Sequence, residues 1–216
     1  MIKVDSSGSP VGAISEAGEV LSSGGLVAYP TESFYGLAAD ATNETAIHRL
    51  FLSKKRGLDR PVLILIPNVE VLDQYAVNIP PVARQLIKEF WPGGLTLVFD
   101  AGTKISPLLT AGTGKIGIRL SSHPVATAVT RAIDVPITGT SANISGQPPC
   151  RNADEVRSSL GKGVDLILDG GETKGEMGST VIDITVDPPR ILRQGMVSQD
   201  EILTIPNIRI CHPETG

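Results

Sequence analysis

Apolar and polar positions alternate along this chain in two rhythms. Val11, Ile14, Ala17, Val20 and Leu21 recur at helical spacing, and Gly24-Gly25 stops that helix before the unbroken run Leu26-Val27-Ala28-Tyr29, which predicts a buried strand. A second helix is predicted from Glu44 to Leu52, followed by a basic loop and a strand from Val62 to Ile66 that Pro67 closes. Helices are expected at Val69–Tyr75, Val82–Phe90, His123–Ile133 and Ala153–Leu160. Strand composition marks Leu95–Phe99, Ile116–Leu120, Pro136–Thr138, Val164–Leu168, Thr180–Ile184 and Ile191–Leu192. Strands alternate with helices early and follow one another late, which predicts an α/β fold with a mixed sheet. No repeat, low-complexity tract or long linker divides the chain, so one domain spanning residues 1–216 is expected.

Composition narrows the function classes. Gly (23) and Pro (16) are frequent, as in a fold with many turns, and a net charge of −4 argues against a broad basic face for gripping nucleic acid. A local basic cleft remains compatible with that charge. No apolar run approaches the ~18 residues of a membrane span, and the N-terminus MIKVDSSGSP lacks a signal-like core, so a cytoplasmic protein is expected. Cys150 and Cys211 are too few for a disulfide framework, and His48, His123 and His212 are scattered, so no structural metal site is expected.

Several familiar motifs fail on context. Gly112-Thr113-Gly114-Lys115-Ile116-Gly117 matches GxGxxG but precedes a strand instead of joining a strand to a helix. There is no GxxxxGK[ST] loop, and Thr140-Ser141-Ala142-Asn143 lacks the glycines of a nucleophile elbow.

Four segments carry small polar or charged residues at the ends of apolar strands. Thr31-Glu32-Ser33 follows the first buried strand and reads either as a cap and turn or as a ligand floor. Lys54, Lys55, Arg56 and Arg60 crowd one Gly/Pro-bounded loop. That loop is either a solvated helix end or a polyphosphate cradle outside the apolar core. Thr138–Gly146 reads as an Asx or Ser turn or as a second ligand loop. Gly170-Gly171-Glu172, Gly178-Ser179-Thr180 and Arg193 complete the set, and Gly170–Gly178 is a candidate moving cover.

Together these segments resemble the YrdC-type threonylcarbamoyl-AMP synthase family, from about Gly24 to Gly195. The matching stretches are YPTESFYGLAAD, LSKKRGLDRPVLILI, FWPGGLTLVF, GIRLSSHP, TSANISGQPPC and GSTVIDI followed by LRQG. The resemblance implies a twisted mixed sheet flanked by helices, with a concave, positively charged cleft. It also implies a nucleotidyltransferase that joins L-threonine, bicarbonate and ATP, with Mg²⁺, into threonylcarbamoyl-AMP and pyrophosphate. Other proteins then transfer the threonylcarbamoyl group to adenosine 37 of tRNA. On this basis Lys54 and Arg56 match a KxR pair that holds ATP and acts as the catalytic pair, balancing charge on the leaving pyrophosphate, while Ser141 and Asn143 match an SxN pair that holds ATP, with Arg193 also on the nucleotide side. Thr31, Ser33, Arg119, Ser179 and Thr180 match the threonine side, Arg119 as a clamp on the carboxylate. Leu65 and Arg60 stand where some members have His and Asn, and with Lys115 they receive no role. The chain resembles the short, single-domain form. Two other readings remain: an RNA-binding module without turnover, and a relative that activates another carbamoyl donor.

Overall fold

In the computed structural model, which describes residues 1–4 and 11–211, the strands join one mixed sheet. In chain order they are β1 (Ile2–Lys3), β2 (Val27–Pro30), β3 (Tyr35–Ala38), β4 (Leu63–Leu65), β5 (Ala76–Val77), β6 (Leu95–Ala101), β7 (Lys115–Arg119), β8 (Ile137–Ser141), β9 (Leu166–Asp169), β10 (Thr180–Asp183) and β11 (Arg190–Arg193). Across the sheet the order is β1-β9-β2-β3-β8-β4-β7-β6-β10-β11, and β5 pairs with β6 off that path. The pairs β1–β9, β2–β9, β4–β7 and β6–β10 are parallel, and the other pairs are antiparallel.

Each face of the sheet carries its own core. Val27 and Tyr29 of β2 point into one core and Ala28 into the other, all fully buried, which is why this segment reads as a continuous apolar run instead of an alternating one. The smaller core is covered by helices Val11–Ser22, through Ala13, Ala17 and Leu21, and Pro124–Ile133, through Val125, Ala126 and Val129. Helices Glu44–Ser53, Pro81–Phe90 and Ala153–Leu160 cover the larger one with Ile47, Leu50, Leu86 and Val156. Asn43 and Asn152 cap two of these helices by accepting from Ala46 N and Glu155 N.

Two departures from the sequence reading matter for the site. Tyr35–Ala38, to which the sequence pattern assigned no element, is strand β3, because β2 and β8 flank it and satisfy its backbone. The strand expected at Pro136–Thr138 runs on as β8 to Ser141: Leu63 pairs with Gly139 on one side and Gly36 with Ser141 on the other. Hydroxyls predicted in a loop are therefore carried on the sheet. Val69–Tyr75 is a 3₁₀ turn capped by Asn68 followed by a single helical turn. The two-residue strands β1 and β5 and the short helices Pro107–Thr110 and Gln199–Leu203 were too brief for any periodic signal. His212 lies outside the described residues. Among the described residues no helix is long and apolar enough to cross a membrane.

Candidate active site

The β2–β3 turn, the ends of β7, β8 and β11, and the segment before β10 meet around a cavity of about 430 Å³. Thr31, Ser33, Arg56, Arg119, Ser141, Ser179 and Arg193 all line it, as do Leu63 and Leu65 of β4. Among the described residues the lining includes three arginines and no carboxylate. Two glycines let backbone approach closely here. A Cβ on Gly36 would sit 2.9 Å from Cζ of Tyr29, its partner across the β2–β3 pair, and one on Gly195 would sit 2.3 Å from the Gly178 carbonyl oxygen, beside Ser179.

At the β2–β3 turn the hydroxyls close a turn and also face the cavity. Thr31 Oγ1 closes the turn by donating to Phe34 O at 2.6 Å and accepting from Ser33 N at 3.3 Å, while Ser33 Oγ stands 3.4 Å from it on the cavity wall. Arg119 ends β7 and is nearly buried. Its Nε donates to Gly93 O at 2.7 Å, and its Nη2 lies 2.8 Å from Glu32 Oε2 as an ion pair without hydrogen-bond geometry. The other Glu32 oxygen accepts from Ser121 Oγ (2.8 Å), Ser122 N (2.6 Å), Ser122 Oγ (2.9 Å) and His123 N (3.0 Å). Burial pushes the Glu32 carboxyl up, but Arg119, the backbone donors and the serine hydroxyls outweigh it and hold the group below the usual carboxylate range.

Opposite this pair, Arg193 lays Nε and Nη2 on Ser179 O at 3.1 and 2.9 Å, and Nη2 also reaches Ser179 Oγ at 3.1 Å. Ser179 Oγ in turn bonds Thr96 Oγ1 at 2.8 Å. Desolvation and then the charge of Arg119 lower the pKa of Arg193, and two like charges on the wall of one cavity favour an anion within it. Thr180 does not reach the cavity. Its fully buried hydroxyl donates to Val197 O at 2.5 Å and accepts from Val197 N at 3.1 Å, clamping the chain after β11.

The basic segment divides in a way that its sequence did not reveal. Lys54 is the C-cap of helix Glu44–Ser53, only 1% exposed, and not in a loop outside the core. Its ammonium donates to Ser141 O and, at 2.7 Å, to Asn143 O, while its own carbonyl accepts from Ser145 N at 2.8 Å. At the end of β8 Ser141 O accepts from Asn143 N at 3.0 Å as well as from Lys54, whereas Asn143 O has Lys54 as its donor, so the buried cationic side chain completes the bonding of that turn. Burial, reinforced by Arg56 and opposed by Cys150, lowers the Lys54 pKa to about 8. Arg56 does face the cavity, held by Nη2 on Pro61 O at 2.8 Å.

Asn143 is buried and turned away from the cavity. Its amide nitrogen donates to Ile144 O at 2.9 Å and Gln147 O at 2.7 Å, as the turn reading of Thr138–Gly146 expects, and its Oδ1 is left without a donor among the described residues. Seven of the ten residues singled out in the sequence thus converge on one cavity, and Lys54, Asn143 and Thr180 stand behind its wall.

Lys115, at the other end of β7 from Arg119, pairs with the buried Asp183 at 3.0 Å and takes no part in the cavity. Arg60 is exposed, and Leu65, beside Arg119 in the β4–β7 register, adds an apolar patch to the lining. Sequence reasoning gave Glu32 no role. Its adjacency to Thr31 and Ser33 was visible, but its pairing with Arg119 was not.

A family model for Sua5, YciO and YrdC, described as telomere recombination, matches residues 19–195. A threonylcarbamoyl-AMP synthase of Pyrococcus abyssi is 41% identical over 191 residues, which are 88% of this chain and 56% of that protein. One of Shigella flexneri is 36% identical over 172 residues, 79% of this chain and 90% of that protein. The crystal structure of P. abyssi Sua5 complexed with L-threonine shares the fold at a TM-score of 0.91 and 38% identity, over 97% of this chain and 62% of that one. On a match over most of its length and on that shared fold, the chain belongs to the Sua5/YciO/YrdC family.

Proposed function

We propose that this chain is an L-threonylcarbamoyladenylate synthase acting as a single catalytic unit. The amine of threonine condenses with bicarbonate to N-carboxythreonine with loss of water, a carbamate oxygen attacks the α-phosphate of ATP, the bond to the β-phosphate breaks, and pyrophosphate leaves. The observation that carries this reading is a cavity walled by three arginines and several hydroxyls, in a chain with a relative whose structure holds L-threonine. Such a wall suits two polyanions reacting with each other, because the protein must position them and neutralise the charge that develops. No protein nucleophile is required.

Roles follow from placement. Arg119 holds the threonine carboxylate, with Thr31, Ser33 and Ser179 beside it. Arg56 and Ser141 face the triphosphate, and Arg193, between the two ends, completes a cationic cleft. Lys54 serves the nucleotide from behind by fixing Ser141 and Asn143, and one of its three donors is not used by those carbonyls. Thr180 fixes the position of Ser179. Mg²⁺ enters as MgATP, held by phosphate oxygens and water in the manner usual for that ion. The product is passed in the cytoplasm to proteins that modify adenosine 37 of tRNA. An RNA-binding reading needs the basic segment to face solvent together, whereas Lys54 is buried and Arg56 lines the cavity.

Pyrophosphate release measured with ATP, Mg²⁺ and bicarbonate tests the proposal. It should require threonine. Serine, which lacks one methyl, should work about 10- to 200-fold less well in kcat/KM. Turnover with carbamoyl phosphate in place of threonine and bicarbonate, or equal turnover of serine and threonine, would assign the site to another substrate.

A further inference from the structure

Glu32 does not line the cavity, yet it is the most heavily contacted carboxylate near it. It projects from the β2–β3 turn to the segment after β7, where one oxygen collects four donors from Ser121, Ser122 and His123. The other oxygen faces Nη2 of Arg119 at 2.8 Å, and the side chains of the pair are 17% and 8% exposed. With Nε on Gly93 O, the guanidinium is held on two sides, and among the described residues Nη1 has no partner. The four donors fix where the carboxylate sits, and the carboxylate fixes where the guanidinium sits.

We propose that Glu32 is a positioning residue for the amino-acid carboxylate: it locks the plane of Arg119 so that the free side of the guanidinium faces the cavity. The inference rests on the assignment of Arg119 to threonine. A competing effect has the opposite sign. Glu32 also offsets the charge of Arg119, and if that dominated, removing the carboxylate charge would tighten threonine binding. Locking dominates because Glu32 is fixed by its four donors and cannot follow the guanidinium, whereas without it Arg119 keeps a single anchor at Gly93. Displacement of a binding group by about 1 Å costs on the order of 100-fold.

Pyrophosphate release is followed in the intact chain and in Glu32→Gln, Glu32→Asp, Arg119→Ala and the Glu32→Gln/Arg119→Ala double variant, varying threonine and ATP separately. Glutamine keeps an acceptor for the 121–123 turn but points an amide at Nη2. Glu32→Gln should raise the KM for threonine about 10- to 100-fold and change that for ATP less than about twofold. In the Arg119→Ala background the same change should alter kcat/KM for threonine less than about threefold, since there is no guanidinium left to position. Aspartate, one methylene shorter, cannot span the turn and Arg119 together and should raise the threonine KM to an intermediate degree. It serves as the test if Glu32→Gln is unstable. An unchanged or lowered threonine KM in either variant overturns the inference, as does an equal effect of Glu32→Gln with and without Arg119. Absence of threonine-dependent turnover in the unaltered chain overturns the substrate assignment, and the role of Glu32 with it.

Discussion

Replacing Lys54 by Met removes the ammonium and keeps most of the stem. In the folded chain that ammonium bonds Ser141 O and Asn143 O, and charge-assisted bonds contribute about 1.5–3 kcal/mol each. Against this stands the burial cost: a pKa lowered from 10.5 to about 8 corresponds to roughly 3 kcal/mol at ~1.4 kcal/mol per unit. The difference is about 0–3 kcal/mol, and the upper part of that range is expected because the variant leaves Asn143 O without its donor, while Ser141 O keeps its bond from Asn143 N. For a chain of this size about 2–3 kcal/mol lowers the melting temperature by roughly 4–12 °C. A cation in a solvated loop would instead change stability by less than about 0.5 kcal/mol.

The sign of the pH dependence is fixed as well. Between about 8 and 10.5 the unfolded chain binds more protons at Lys54 than the folded one, so the stability of the unaltered protein relative to the Met variant rises with pH across that window. Urea unfolding at pH 7 and pH 10 measures it. Amide exchange at Ser145, whose N–H bonds the Lys54 carbonyl, should quicken in the variant. A melting temperature within about 1 °C of the unaltered protein, with unchanged exchange at Ser145, would refute the stapling role.

Arg119→Ala should strand the Glu32 carboxylate at neutral pH. Because the folded pKa of Glu32 is lowered, its contribution is present above the ordinary carboxylate value and lost as pH falls through the lowered one. Breaking a buried pair costs up to about 3–5 kcal/mol, so the stability gap from the intact protein should be largest at pH 7 and close in acid, as read by urea unfolding. Arg56→Ala should leave stability within about 1 kcal/mol, since the side chain is only half-buried and caps two loop carbonyls, yet lower the rate of pyrophosphate release about 10²–10³-fold. Combined with Lys54→Met its effect on rate should be less than additive. The Gly170–Gly178 segment is tied by Gly175 N to Ser33 O and by Thr173 N to Arg151 O, and its exchange should slow further when threonine and ATP are both present. Unchanged exchange would argue against its closing over the site.

The sequence by itself determined the α/β alternation, most element positions and the candidate residues. Continuous apolar runs such as Leu26–Tyr29 and helical spacing such as that of Val11–Leu21 reflect burial, which local pattern records directly. Hydroxyls, glycines and arginines at strand ends were legible because such residues interrupt that pattern. What the pattern does not record is which distant groups satisfy one another. Only the tertiary structure decided that Tyr35–Ala38 is a strand, since its partners β2 and β8 lie on either side of it and β8 is far along the chain. It also separated Lys54 from Arg56, two residues apart in one basic run, by burying the first against carbonyls after β8 and opening the second to the cavity. Glu32 and Arg119 became a pair in the same way. Charge and polarity are properties of a residue, but desolvation and partnership are properties of where the chain brings it.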